Sequence, residues 1–223
     1  MNIKQYLTKV NFAKSKTKKN QYIVIHYTAN NGDTAMNNAK YFNEIYRGAS
    51  AHYFVDEMEV VRVVSDCDVA WHCGTKGKYK HPKCRNSNSI GIEMCSRING
   101  VGEYYIKSEV VELTELLVAD LMKKYKIPLE NVIRHFDVTG KNCPRPMVEN
   151  NKIWVDFKEN VKEILTMKKI YKKLSDVPDW AKPTIEKSVE NGALNGDENG
   201  NLNLSDEMVR IFVVNDRMGI YER

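Results

Sequence analysis

No stretch of this 223-residue sequence approaches the roughly 20 consecutive apolar residues that a membrane-crossing helix needs, so no membrane insertion is expected. The opening residues, Met1-Asn-Ile-Lys-Gln-Tyr-Leu-Thr-Lys-Val10, lack the apolar centre of a secretory signal. Synthesis in the cytoplasm without a signal peptide is therefore the expectation, and a target outside the membrane then requires a separate route of release. Cysteine is sparse. The five present (Cys67, Cys73, Cys84, Cys95 and Cys143) are odd in number and include no C-x-x-C pair. A disulfide framework is not demanded, a reducing compartment suffices, and a structural zinc built from the first four is disfavoured.

Apolar residues make up 42% of the chain. At this length that suits one medium domain and a small one, since domains usually run to about 100–150 residues. The formal charge of +5 is unevenly placed: from Lys168 onward acidic residues outnumber basic ones by one, leaving +6 on the preceding part. A basic body attracts polyanions through long-range field and counterion release, and nucleic acid or anionic wall polymers both satisfy that. A merely soluble basic surface satisfies it equally.

The hydrophobic pattern predicts an α/β fold. Tyr22-Ile-Val-Ile-His26-Tyr-Thr28 reads as a strand buried on both faces, and Asp33 or Thr34 caps a helix running to about Tyr46, ended by Gly48. Ala51–Asp56 and Val60–Val64 form a hairpin around Glu57-Met58. Residues 66–88 make a long surface loop, and Ser89–Cys95 returns to strand. Ser108–Lys126 is an amphipathic helix closed off by Pro128. Val132–His135 is a further strand, Phe136–Met147 a loop with two prolines, and Trp154–Leu165 a last helix, with an extension through Lys168–Lys173 in view. Residues 1–167 thus form one domain. Residues 174–223, helix–turn–helix around the turn cluster Asn195–Asn201, form a small helical module.

Three residues of metal-ligand character fall at strand ends or in loops: His26, His135 and Cys143. Two imidazoles and one thiolate leave a fourth zinc position open, the arrangement of catalytic rather than structural zinc. Spacing alone leaves two readings, because a single histidine after an apolar run is commonly a structural residue.

Context separates them. Arg134-His135-Phe-Asp-Val-Thr-Gly-Lys141-Asn-Cys143-Pro-Arg-Pro146 resembles the zinc loop of the type 2 N-acetylmuramoyl-L-alanine amidase and peptidoglycan-recognition protein family. Val24-Ile-His26-Tyr-Thr28, Ser50–Asp56, Ala70-Trp71-His72-Cys-Gly74 and Asn88-Ser89-Ile-Gly-Ile-Glu93 match the same family in order, so the resemblance spans about Tyr22 to Trp154. It implies a mixed central β-sheet flanked by helices and zinc bound by His26, His135 and Cys143. It implies Glu93 as catalytic acid/base, where the glutamate-using branch of the family keeps that residue, and Lys141 beside the oxyanion; Lys141 stands two residues before Cys143, so in an extended loop both side chains point the same way. Trp71 and His72 are expected to line the substrate cleft. His52 reads as core, His81 as loop surface, and Asp137 as a residue ordering the zinc loop. One position departs: where some members use a hairpin tyrosine in catalysis, this chain has Ala51, which favours Glu93 as the base.

An amide is a poor electrophile. A metal that polarises its carbonyl and activates water, with a base to move the proton, meets that difficulty. The expected activity is hydrolysis of the amide between N-acetylmuramic acid and L-alanine in bacterial peptidoglycan, by a phage or prophage endolysin released with a holin-like partner. Nucleic acid is not an expected partner. The alternatives are a non-catalytic peptidoglycan-binding protein and a zinc peptidase cutting the stem peptide. Residues 174–223 resemble a single surface-layer-homology-like repeat, which implies binding to anionic wall polymers or self-association as a homodimer.

Overall fold

The computed structural model describes residues 3–74, 78–166 and 170–222. Its contacts group into two compact units, Met1–Leu165 and Thr166–Arg223.

In the first unit the strands are β1 (Ile3–Gln5), β2 (Tyr22–Tyr27), β3 (Tyr53–Val55), β4 (Val60–Arg62), β5 (Ser89–Met94), the short pair β6 (Arg97–Ile98) and β7 (Tyr104–Tyr105), and β8 (Val132–Arg134). The helices are α1 (Ala35–Glu44), α2 (Ser108–Tyr125), α3 (His135–Thr139), α4 (Arg145–Glu149) and α5 (Asn151–Thr166). Six strands form one sheet in the order β1-β4-β3-β5-β2-β8. Only β3 and β4 run antiparallel, as the two arms of the predicted hairpin; the other pairings are parallel. This is the mixed sheet flanked by helices that the sequence predicts.

Register decides what each face carries. Across the parallel pairs, His26 lies opposite Glu93 and Phe54 opposite Glu93, so the three side chains share one face. The alternate residues, Ile23, Ile25, Tyr53, Val55, Ile90 and Ile92, pack on the other face with Leu117, Val118 and Leu121 of α2 and Phe157 and Val161 of α5. Each such side chain, fully buried, contributes about 1.5–3 kcal/mol, which makes this layer the foundation of the site layer opposite. There α1 covers Phe54, Val61 and Val63 through Ala35 and Ala39.

Asp66 fastens the hairpin to α2. Its buried carboxylate accepts hydrogen bonds from the Tyr53 hydroxyl, from Tyr125 at 2.6 Å and from Lys124 at 2.9 Å. Tyr53 is itself 1% exposed, so deleting the acceptor leaves a buried hydroxyl without a partner. Asp66→Ala is expected to destabilise the first unit by about 3 kcal/mol, read as a lower urea midpoint with unchanged slope.

Several elements differ from expectation. α1 stops at Glu44, with Ile45 already extended, so Tyr46, 69% exposed, lies beyond the helix that was expected to reach it. The strand expected over Val132–His135 ends at Arg134, and His135 opens α3, whose remainder, with the start of α4, occupies the predicted Phe136–Met147 loop; Pro146 sits in the first turn of α4, where a missing N–H costs nothing. α5 begins at Asn151, before Trp154. The helical extension through Lys168–Lys173 falls partly on 167–169, outside the described residues; Ile170–Tyr171 is a strand.

The second unit contains β9 (Ile170–Tyr171) paired antiparallel with β10 (Leu204–Ser205), and helices α6 (Lys182–Glu190) and α7 (Asp206–Arg217). Ser205 caps α7, its hydroxyl accepting from the Met208 N–H, as its sequence implies. Tyr171, Val177, Ala181, Ile185, Leu204, Val209 and Val213 form its own apolar core. Strand pairing thus adds Ile170 and Tyr171 to the helical module read from residues 174–223. Within the turn, Asp197 accepts from the backbone of Asn199 and Asn201.

Candidate metal centre and cleft

His26, His135 and Cys143 converge. Their donor atoms lie within 4.8 Å of one another, and all three residues are buried. His26 comes from the end of β2. His135 opens α3 directly after β8, two residues past Ile133, which pairs with Val24 beside His26. Cys143 is presented by the turn beyond α3, whose closure the Phe136 N–H to Cys143 carbonyl bond fixes at 2.9 Å. Asp137 orders this segment as expected, accepting from the Arg134 backbone N–H at 2.8 Å and from its guanidinium at 3.0 Å. Arg134 in turn donates to the Met147 carbonyl, tying the loop to α4.

Nδ1 of His26 faces the centre, 3.8 Å from Cys143 Sγ and 3.9 Å from Glu93 Oε1. Among the described residues, both ring nitrogens of His135 and Oε2 of Glu93 are buried without a hydrogen-bond partner. Such orphaned groups are costly unless something else satisfies them. A cation does so, and a set of two imidazoles and one thiol suits zinc.

The electrostatics agree. Burial, then the charge of nearby Lys141, holds His135 down at about 4. Burial, followed by neighbouring histidines and Lys141, puts His26 well below the usual imidazole range. Burial pushes the Glu93 carboxyl up to about 8, against the opposing pull of Lys141. Burial and the charge of Glu93 push the Cys143 thiol up to about 12. Imidazoles are thus kept neutral, ready to donate, while thiolate and carboxylate are disfavoured until a positive charge enters.

These shifts predict a pH optimum for the metal-free protein. Between about 4 and 6.5 the unfolded state binds the protons that folded His135 refuses, so stability falls as pH drops through that window. Glu93 works oppositely: between 4.5 and about 8 the folded state holds the extra proton, so stability falls as pH rises there. His26, held down like His135, adds to the acid limb, so stability in the presence of chelator should rise to about pH 6.5 and fall above it, and Glu93→Gln should flatten the alkaline limb. Melting temperatures against pH check both.

Lys141 reaches the same small cavity, which His26, Ser50, Trp71, His72, Glu93 and His135 also line, with a volume of about 120 Å³. The alternation argued for Lys141 and Cys143 does not hold, because the Cys143 N–H bonds back to the Lys141 carbonyl at 2.7 Å in a tight turn. The turn, not an extended strand, brings the ammonium to the centre. Trp71 lies at the cavity wall, edge-on to Tyr46. His72 lines the cavity too, but largely from below its surface. It is 6% exposed, and its ring nitrogens face His26 and Ser89 instead of presenting a polar tip to the cleft.

A larger groove of about 550 Å³ continues from the centre, sharing Glu93, Phe42 and Phe54. Its further lining, Thr28, Asn30, Asp33, Asn37, Asn38 and Tyr41, comes from α1 and the loop before it. Sequence reading overlooked these residues; the run of polar side chains on a helix packed over the site face was the available signal. The four remaining cysteines do not assemble a second centre: Cys73 and Cys84 pack together, Cys67 is exposed, and Cys95 lies beside Asn38.

The family model described as N-acetylmuramoyl-L-alanine amidase matches residues 16–146. The chain belongs to that family. It is 36% identical over 171 residues to the N-acetylmuramoyl-L-alanine amidase CwlL of Bacillus licheniformis, covering 73% of this chain and 46% of the relative. It is 36% identical over 161 residues to BlyA of Bacillus subtilis, covering 67% and 43%. The chain therefore spans less than half the length of these curated relatives. Among solved structures, PlyL superposes with a TM-score of 0.61 at 28% identity, over 72% of this chain and 97% of that one. A mutant endolysin from Bacillus subtilis gives 0.59 at 29% identity, over 72% and 99%. Among the described residues, no helix is long and apolar enough to cross a membrane.

Proposed function

We propose that this chain hydrolyses the amide between the lactyl group of N-acetylmuramic acid and L-alanine in bacterial peptidoglycan, as the lytic enzyme of a phage or prophage. The observation that carries the reading is the buried triad of donors with the unpartnered His135 nitrogens, set beside Glu93 and open to a groove. Membership of the amidase family supports the substrate.

His26, His135 and Cys143 hold zinc, which when bound supplies Lewis-acid polarisation of the scissile carbonyl and activation of water near neutral pH. Glu93 takes the proton of the attacking water and delivers it to the leaving nitrogen of L-alanine. Its carboxylate on β5 is aimed at the centre by its register with His26, while the unpartnered Oε2 remains available for that proton. Lys141 sets its ammonium beside the negative charge that develops on the carbonyl oxygen. Trp71, with the polar wall from α1, positions sugar and stem peptide. Release of new α-amino groups from purified peptidoglycan, stopped by chelator and restored by zinc, is the expected result. No release at any zinc concentration leaves the chain a binding protein.

The second unit is an accessory module, read as a surface-layer-homology-like repeat, and its role is self-association. Met208, Ile211, Val214 and Met218 form an exposed apolar stripe along α7. The acidic first turn (Asp206, Glu207) and basic last turn (Arg217) give an antiparallel pair of copies opposite charges at each end. The full chain is expected to be dimeric in solution and Ile211→Glu monomeric. A wild-type monomer that sediments with anionic wall polymers would instead assign the module to wall attachment. Access to the wall from the cytoplasm would come through a holin-like partner.

A further inference from the structure

A directed chain of hydrogen bonds runs behind His26 and ends on the main chain. Nε2 of His26, the nitrogen turned away from the triad, lies 3.1 Å from Nδ1 of His72. Nε2 of His72 lies 3.2 Å from the Ser89 hydroxyl. That hydroxyl lies 2.6 Å from the Arg85 carbonyl oxygen. A carbonyl only accepts, so the single proton of Ser89 is committed to Arg85; Cys73 Sγ, at 3.9 Å, is a far weaker taker. Ser89 must then accept from His72, which makes Nε2 of His72 the protonated nitrogen. His72 is 6% exposed, and among the described residues its ring nitrogens meet His26, Cys73 and Ser89, with no carboxylate to pair a buried charge; the ring is therefore neutral and its Nδ1 an acceptor.

Two groups can donate to that acceptor, His26 and the Cys73 thiol at 3.2 Å. A thiol is the weaker donor, and with His26 as its Nδ1–H tautomer two lone pairs would face each other across 3.1 Å. The donor is therefore Nε2–H of His26, which leaves the lone pair on Nδ1, the nitrogen facing Cys143 and Glu93.

We propose that His72 and Ser89 are positioning residues that lock His26 as its Nε2–H tautomer, so that the Arg85 carbonyl, three hydrogen bonds away, dictates which nitrogen is offered to the metal. The strand is built for it. Ser89, Gly91 and Glu93 alternate on one face of β5: the first anchors His72, and the third faces the centre. The second has no side chain where a Cβ would lie 2.5 Å from the His72 ring. A partner hydrogen bond that fixes the tautomer of a ligating histidine typically changes metal affinity by about 10–100-fold.

This inference rests on the reading that the triad holds zinc, and one experiment separates the two. Long-range proton–nitrogen correlation of the histidine side chains, recorded on the full ¹⁵N-labelled chain with and without zinc, reports each tautomer. The expected result is Nε2–H for both His26 and His72 without metal. On zinc addition His26 Nδ1 should shift while its Nε2 proton is retained. An Nδ1–H tautomer at His26, or metal attachment through Nε2, overturns the inference and leaves the zinc site standing. No shift at His26 or His135 overturns both. In chelator competition Ser89→Ala should weaken zinc binding about 10–100-fold and Ser89→Thr should restore it; wild-type affinity in Ser89→Ala overturns the inference. If Ser89→Ala does not fold, the wild-type spectra alone decide.

Discussion

Glu93→Gln is expected to lower turnover of peptidoglycan by about 10²–10⁴-fold while zinc binding survives. Glutamine matches the carboxylate in size and keeps a hydrogen-bonding oxygen, but it cannot take a proton. The position suits a base: the carboxyl sits in line with His26 across a parallel pair, with one oxygen 3.9 Å from Nδ1 and the other unpartnered. Burial has already raised its proton affinity to about 8, close to where a general base is most effective. Turnover of soluble muropeptides and zinc affinity, measured on the same variant, check the claim. A variant that retains a tenth of the activity, or loses activity only because it loses zinc, would remove Glu93 from the role.

His135→Ala should abolish activity and, with it, the stabilisation that zinc confers. At zinc concentrations about 100-fold above the dissociation constant, binding to the folded state alone adds about 2.7 kcal/mol. For a unit of this size that is a zinc-dependent rise in melting temperature of about 5–10 °C. The wild type should show the rise and His135→Ala should not. Without metal the two proteins should melt nearly together, because the lost imidazole has both nitrogens buried and unpartnered and so contributes no hydrogen bond. A full zinc shift in the variant would mean that the metal sits elsewhere.

How much of this was legible depends on which physical signal each element leaves in the sequence. β2 announced itself through its β-branched run, and α2 through its apolar periodicity, because both are long enough to bury a continuous stripe. β1 left no signal: three residues, Ile3-Lys-Gln5, mostly exposed at a sheet edge, have no period to detect. α3 and α4 are five residues each, shorter than two helical turns, and the prolines around them read as loop. The donors His26, His135 and Cys143 were visible because they stand in a recognisable order at strand ends. The inward turn of His72 was not visible. It depends on the absence of a side chain at Gly91 and a hydroxyl at Ser89, on a strand far from His72 in sequence. Lys141 lines the cavity through a tight turn and not the extended loop expected, since either backbone can bring the same ammonium to the same cavity.

The most direct test of the account is mass spectrometry of what the chain releases from purified peptidoglycan. Intact stem peptides with L-alanine at a free amino terminus are expected, with glycan strands whose lactyl carboxyls are unmasked, both released about 10²–10⁴-fold more slowly by Glu93→Gln. Stem peptides cut internally, with the lactyl–alanine amide intact, would contradict it.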